Sequence, residues 1–326
     1  MKFGLLPFGA GLEGDREQTL RNTMEQVKVA KESGFNAAWA SGGHLGRGLQ
    51  STLLQARLSA ETGDMDLGIL YLLPLEHPIL LAEEISTLDL LCGGRLTVAL
   101  SLGWRDFQFA AFGLPVNTRL SRFLETLEVM KQLWTQDKVS FSGRHYNLEV
   151  DRAIARPVQQ PYPRLLIAAN ADAAIQRAAR IADGWLISTR ATTPTIERQA
   201  GLYRQALEQQ GNSGTIWAWR EAYVAPDRQT ALDTIRSSVE WLYADRAALG
   251  HARDLPEADR IDVPFEQILQ NRFIVGNPDE CIQEIQRYEQ LGVDTIIMRM
   301  QWPGMAQEET LRSIRLMGKE VLPRFA

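Results

Sequence analysis

Residues 66–113 contain two apolar runs, Leu67-Gly68-Ile69-Leu70-Tyr71-Leu72-Leu73 and Arg95-Leu96-Thr97-Val98-Ala99-Leu100. Between them, apolar residues recur at helical spacing until Gly93-Gly94 ends the pattern: Ile79, Leu80, Ala82, Ile85, Leu88 and Leu91. A strand, a helix and a strand in this order predict one βαβ unit, with parallel strands and a right-handed crossover. Both runs are continuously apolar, which is typical of strands that are buried on both faces.

The same alternation of strands and helices continues along the chain. Strands are predicted at 3–7, 36–40, 67–73, 95–100, 164–169, 184–188, 215–224 and 294–299, and a short hairpin at 139–148. Eight such units predict an α/β protein that closes into a (β/α)₈ TIM barrel, as a single domain over residues 1–326. The pattern degrades at 244–277, which we interpret as a late insertion or lid.

An open doubly wound sheet is the alternative fold. Its nucleotide-binding fingerprint would follow the first strand, where the chain reads Gly9-Ala10-Gly11-Leu12-Glu13-Gly14. This match lies in a loop well ahead of the helix, and no acidic residue follows the second strand at the required place. The barrel is therefore favoured.

Charge and cysteine content limit the binding partners and the cellular compartment that we expect for this protein. The net charge is −5 and no basic block occurs, so we expect no nucleic-acid partner. Cys92 and Cys281 lie far apart and form no metal or redox motif, which favours a reducing compartment. The apolar N-terminal start is too short for a secretion signal, and no segment is long enough to span a bilayer. We expect a soluble cytoplasmic protein with no membrane partner.

The active site of such a barrel lies at the carboxyl ends of its strands. These ends are mostly apolar and carry one histidine, His44, with no cluster of carboxylates. A metal site, a glycosidase carboxylate pair and a Gly-x-Ser-x-Gly hydrolase elbow are therefore not predicted. An apolar mouth with few titratable groups suits chemistry carried by an organic cofactor.

Four sequence fragments together carry a family resemblance. They are Leu72-Leu73-Pro74-Leu75-Glu76-His77-Pro78, Leu88-Asp89-Leu90-Leu91-Cys92-Gly93-Gly94-Arg95-Leu96, Gly103-Trp104 and Phe109-Ala110-Ala111-Phe112-Gly113. In order and spacing the chain resembles the bacterial-luciferase-like flavin monooxygenases, from Phe3 to Pro323.

The resemblance implies an oxidoreductase. It would take reduced FMN from a separate flavin reductase and use oxygen to oxidise a small organic substrate, and it would form a homodimer. Two alternatives stay open: a deazaflavin-dependent hydride-transfer enzyme on the same fold, and a flavin-binding protein without catalysis.

The resemblance also implies where the cofactor phosphate binds. Ala169-Asn170-Ala171-Asp172 ends the fifth strand and starts a helix, whose free amides can bind a phosphate that Arg119 also reaches. The alternative is that Asn170 or Asp172 only caps the helix.

The flavin ring is expected against Leu70, Tyr71, Ser101 and Gly103, with a non-proline cis peptide at or beside Leu70-Tyr71. The substrate pocket is expected to include Phe8, Trp104 and Trp302. His44 is the candidate acid or base. It follows Ser41-Gly42-Gly43, where many relatives carry a carboxylate, so nothing adjacent in sequence fixes its tautomer.

Overall fold

The computed structural model describes residues 1–7, 15–41, 44–45, 49–250 and 255–325. Its strands are Lys2–Leu5 (β1), Ala37–Ser41 (β2), Asp66–Leu72 (β3), Leu96–Ser101 (β4), Val139–Ser142 (β5), Asn147–Val150 (β6), Arg164–Ala168 (β7), Gly184–Ile187 (β8), Thr215–Val224 (β9), Phe273–Gly276 (β10) and Thr295–Arg299 (β11). Its α-helices are Arg16–Glu32 (α1), Ser51–Ser59 (α2), Pro78–Leu91 (α3), Asp106–Ala111 (α4), Arg119–Thr135 (α5), Asp172–Ile181 (α6), Thr193–Gln210 (α7), Arg228–Ala248 (α8), Phe265–Leu269 (α9), Pro278–Gln290 (α10) and Gln307–Leu316 (α11).

The main sheet runs in the order β10-β9-β11-β1-β2-β3-β4-β7-β8, and β8 also pairs with β9. That last pairing closes eight parallel strands into a ring, so the (β/α)₈ barrel is confirmed. The sheet contains a ninth strand, β10, at its edge. Among the described residues it pairs with the carboxyl-terminal end of β9, from Phe273↔Glu221 to Gly276↔Val224. Strand β9 is therefore long because it serves both the barrel and this added strand.

The chain divides into two compact units, which comprise the described residues within 40–46 and 50–166, and within 1–39, 47–49 and 167–326. In the first of these units, β3 and β4 pair without interruption from Leu67↔Leu96 to Leu72↔Ser101. The indole of Trp134 on α5 donates to the Ala82 carbonyl of α3 at 3.1 Å, which holds the two helices together. Strands β5 and β6 form the predicted antiparallel hairpin.

The expected cis peptide at Leu70-Tyr71 is wrong. Among the described residues the cis bond is Gln160–Pro161, and the backbone from Ile69 to Leu73 is trans. The regular ladder between β3 and β4 explains this, because each residue from Leu67 to Leu72 keeps its partner and no bulge interrupts the strand. Neither residue is a proline, so a cis bond here would cost about 3 kcal/mol with nothing to offset it.

The other unit contains an aromatic cluster on the inner face of its strands. Trp39 of β2 is fully buried and meets Trp217 and Trp219 of β9 edge to face, at ring-centroid distances of 5.9 and 6.3 Å. Because strand side chains alternate, Glu221 lies on the same face of β9 as these two tryptophans.

Residues 244–277 are more regular than their sequence pattern indicates. Helix α8 continues to Ala248, and α9 and β10 follow within the segment. These elements share one apolar core: Tyr223, Val239, Tyr243, Ile261, Phe265, Ile268, Phe273 and Trp302. Each element is too short to show a period in sequence, which is why the segment appears irregular. Its role as a lid stays a prediction. Among the described helices, none has the length and apolar character that crossing a membrane requires.

Candidate active site

His44 has a carboxylate partner that its sequence neighbours do not supply. Its Nε2 lies 2.8 Å from Oε1 of Glu76, which follows β3. Both side chains are about three-quarters covered, with exposed fractions of 26% and 21%. The expectation that nothing fixes the histidine tautomer is therefore wrong. In a parallel barrel the loops after consecutive strands are neighbours, so the position of Glu76 just after the third strand was a usable signal.

Helix α4 supports the same histidine from another side. The Gln108 side-chain amide, which is 1% exposed, donates to the backbone carbonyl of His44. The Phe112 ring lies against the imidazole, with a centroid distance of 4.7 Å and an interplanar angle of 55°. Glu76 is held in turn, since its carbonyl accepts the Tyr146 hydroxyl at 3.3 Å. The dyad is thus supported at the imidazole ring and at the backbone carbonyls of both residues.

The dyad favours protonated histidine. The hydrogen bond to Glu76 raises the pKa of His44 above its usual value, partial burial opposes this, and the negative charge of Glu76 adds to the rise. Glu84 on α3 also has a raised pKa, because it is partly desolvated and lies near the Glu76 charge. This corner of the protein is therefore suited to holding a proton near neutral pH.

Tyr71 points away from the barrel interior. Its hydroxyl lies 3.1 Å from Thr52 Oγ1 on helix α2, and the Thr52 hydroxyl is 3.5 Å from Glu84 on α3. Burial raises the pKa of the Tyr71 hydroxyl. Helices cover the outer face of the strands, so the alternation along β3 directs Leu70 to the opposite face. Of these two predicted ring contacts, only Leu70 is directed inward.

The end of β4 forms a tight turn at Gly103. This glycine is buried with φ +72°, and a Cβ atom there would lie 3.3 Å from the Phe109 ring. Its amide is 3.4 Å from the Ser101 hydroxyl. Trp104 is half-buried beneath the Arg105 guanidinium, 4.9 Å from the ring centroid, and Arg119 is the partly buried first residue of α5. A side chain at position 103 would press on Phe109, so the turn needs glycine both for its positive φ and for internal packing.

The start of α6 has the features of an anion site. Ala171 occupies the N-cap position and no side chain caps the first turn, so the capping explanation of Asn170 and Asp172 is wrong. Asn170 is exposed, and its carbonyl accepts the Gln199 amide at 2.7 Å. Asp172 instead forms a bidentate pair with Arg198 of α7, at 2.7 and 2.9 Å. Arg198 lowers the pKa of Asp172 and neutralises a charge that would repel an anion.

A second polar cluster was missed by the sequence analysis. Glu221 is fully buried and accepts from Arg299 Nε at 2.7 Å and from Trp302 Nε1 at 3.0 Å, while Arg246 Nη1 lies 3.5 Å away. Trp302 also stacks on Phe273 with a centroid distance of 5.9 Å. Within the described residues Trp302 is thus a packing residue, and a contact with substrate stays a prediction. A glutamate and an arginine inside apolar strands were the available signal, because such residues are seldom buried unless paired.

The predicted site residues fall into separate groups. One unit holds His44, Leu70, Tyr71, Ser101, Gly103, Trp104 and Arg119, and the other holds Ala169, Asn170, Ala171, Asp172 and Trp302. Phe8 lies outside the described residues. In the part of the chain that the structure describes, no group of three or more His, Cys, Asp or Glu side chains could hold a metal ion.

The family profile of the luciferase-like monooxygenases matches residues 1–295. The chain belongs to this family. A 133-residue stretch of this luciferase-like protein is 37% identical to an uncharacterized protein of Mycobacterium bovis, a match that covers 40% of this chain and 47% of that protein. This chain is also 28% identical to an F420-dependent glucose-6-phosphate dehydrogenase of Microbacterium testaceum, over 98% of both chains.

Solved structures of similar shape cover the whole luciferase-like chain. Monooxygenase RslO1 from Streptomyces bottropensis matches all of both chains, with a TM-score of 0.87 and 25% identity. The oxygenating constituent of 3,6-diketocamphane monooxygenase from Pseudomonas putida, in complex with FMN, matches 99% of this chain and 98% of its own, with a TM-score of 0.82 and 18% identity. The chain spans about half the length of the Mycobacterium bovis relative, and the family that its profile identifies is one of monooxygenases, which are oxidoreductases.

Proposed function

We propose that this protein is a monooxygenase that receives reduced FMN from a separate reductase and uses oxygen to oxidise a small organic substrate. The observation that carries the proposal is the uncapped start of α6, where Arg198 already neutralises Asp172. Free amides at a helix N-terminus bind phosphate groups. Similarity over the full chain to a monooxygenase supports the oxygen-dependent reaction.

Within each unit, residues of the chain suit one part of such a cofactor. The amides from Asn170 to Asp172 would bind its phosphate, with Arg119 as the proposed second contact, whereas the Ala169 amide already donates to the Leu186 carbonyl at 3.4 Å. Leu70, Ser101 and the backbone at Gly103 would lie against the flat ring. Reduced FMN supplies the electrons for oxygen activation when it is bound. The protein's part is to orient the substrate and to exclude water.

His44 is the proposed proton donor or acceptor of the reaction. Its raised pKa gives a substantial protonated fraction near neutral pH. We expect His44→Ala to leave FMN affinity nearly intact and to slow oxidation roughly a hundredfold, the low end for a lost proton transfer. Both quantities should be measured on the same variant. Unchanged oxidation would remove His44 from the chemistry.

Cofactor identity is the first test. The purified protein should be examined by mass spectrometry for a co-purifying cofactor and titrated separately with FMN and coenzyme F420. Selective FMN binding, with oxygen consumption that depends on an added reductase, is the expected result. Selective F420 binding would overturn the proposal.

A second candidate function is deazaflavin-dependent hydride transfer. It is supported by the full-length similarity to an F420-dependent glucose-6-phosphate dehydrogenase. In that reaction oxygen is not consumed, and turnover appears as an absorbance change of the deazaflavin. FMN binding without turnover would instead favour the third alternative, a non-catalytic flavin-binding protein. The homodimer and the reductase partner are part of the first proposal and can be checked by light scattering and by reductase titration.

A further inference from the structure

We infer that Glu76 is a positioning residue. Its carboxylate accepts a hydrogen bond from Nε2–H of His44, so Nδ1 is the atom that exchanges protons with the reacting molecule. The inference rests on the proposed function for the identity of that molecule. It adds a residue and a specific atom to which the sequence analysis assigned no role.

The geometry assigns the two ring nitrogens different tasks. Nε2 is 2.8 Å from the Glu76 carboxylate, which can only accept a hydrogen bond when ionised. Nε2 therefore keeps its hydrogen in the neutral ring, and Nδ1 carries the lone pair. Among the described residues, none offers Nδ1 a hydrogen-bond partner. A carboxylate on one ring nitrogen fixes the tautomer that works through the other.

Two further contacts restrict the movement of His44. Phe112 lies against the ring face, and the nearly inaccessible Gln108 anchors the His44 carbonyl. Gln108 lies on α4 and Phe112 directly follows it, and neither residue is charged. The charged groups described near the dyad are Glu76 itself and, behind it, Glu84 of α3. Glu76 is therefore the group that sets the charge state of His44.

The proton step is simple. In the protonated ring, Nδ1–H donates to an oxygen atom of the reacting molecule, oxygen or substrate, as that atom gains negative charge; the N–H bond breaks and an O–H bond forms. The ring becomes neutral and keeps Nε2–H on Glu76. Taking a proton from a substrate hydroxyl is the reverse transfer to the Nδ1 lone pair.

The first test does not need turnover. Nitrogen NMR of ¹⁵N-histidine-labelled protein can report the tautomer and pKa of His44, assigned among the four histidines by its loss in His44→Asn. We expect the Nε2–H tautomer and a pKa above the usual value in the parent. Glu76→Gln should lower that pKa, whereas the matched control Glu84→Gln, which changes a nearby carboxylate, should shift it much less. An Nδ1–H tautomer, or an unchanged pKa in Glu76→Gln, would overturn the inference even if FMN binding failed.

The second test uses isosteres on the FMN-loaded protein. The asparagine amide can occupy the place of Nδ1, and the glutamine amide that of Nε2. Stopped-flow re-oxidation of reduced FMN should be slowed about tenfold in His44→Asn and about a hundredfold in His44→Gln. Glu76→Gln should move the pH profile of the rate to lower pH, which a merely structural role would not do. Equal rates in the two histidine variants, or an unmoved profile, would contradict the assignment.

Discussion

Glu221 of β9 and Arg299 of β11 are register partners that form a two-point ion pair in the fully buried interior of their unit. The Trp302 indole donates a further hydrogen bond to the Glu221 carboxylate, and Arg246 adds a second positive charge nearby. Both arginines thus face the same carboxylate. Removing Glu221 should therefore reduce the stability of the folded protein strongly.

The stability of this unit should depend strongly on Glu221. Glu221→Gln keeps the shape but removes the negative charge that both guanidinium groups face, so we expect a loss of about 3–5 kcal/mol in the free energy of unfolding. Urea denaturation measures it. Glu266→Gln is the control, because Glu266 pairs with Arg236 at the exposed surface and its loss should barely move the midpoint. A loss in Glu221→Gln as small as in the control would contradict the role of this pair.

Arg198 should matter for the cofactor through Asp172. Removing it in Arg198→Ala leaves an unneutralised carboxylate in the first turn of α6, where the phosphate is proposed to bind. We expect FMN affinity to fall about tenfold while riboflavin, which has no phosphate, binds as before. Adding Asp172→Asn should restore the affinity for FMN. Equal weakening of both ligands would point to general damage and not to the phosphate.

Arg119 is the second proposed phosphate contact. Arg119→Ala should weaken FMN binding tenfold to a hundredfold, since a charge-assisted hydrogen bond is lost. Arg122→Ala is the matched control on the same helix, where Arg122 is held by the Thr118 hydroxyl at 3.3 Å. Fluorescence titration with FMN and riboflavin checks both variants. If Arg119→Ala binds FMN as tightly as the parent, the placement is wrong.

The His44–Glu76 pair should stabilise the protein at low pH. Because the pKa of His44 is raised in the folded state, its contribution is fully present below the unfolded value and disappears as pH rises through the folded value. Urea denaturation should be measured at several pH values from about 5.5 to 8.5. Glu76→Gln should be less stable than the parent at the acid end, and the difference in unfolding free energy should shrink as the pH rises. The double variant with His44→Asn should lose less stability than the sum of the two single losses, because each single variant already removes the same interaction. A gap that widens with pH would reverse the sign and refute the pairing.

The fold could be predicted from the sequence. The eight barrel strands and their helices could be predicted because burial on both faces leaves continuous apolar runs, and helix faces leave a regular period; both are properties of neighbours along the chain. The prediction at 36–40 became Ala37–Ser41, and that at 294–299 became Thr295–Arg299. The start of α6 could also be located, because a strand-to-helix turn has a local pattern.

The pairing of charged and polar residues around these elements depends on contacts that form in the folded barrel. His44 and Glu76 are 32 residues apart, and Glu221 and Arg299 are 78 apart, so no local period relates them. The direction of Tyr71 toward α2 and α3, and the short elements of 244–277, likewise depend on what packs against them. Barrel closure brings distant strand ends side by side, and a charged pair is recognisable only once that adjacency is known, because its energy depends on distance and burial and not on spacing in the chain.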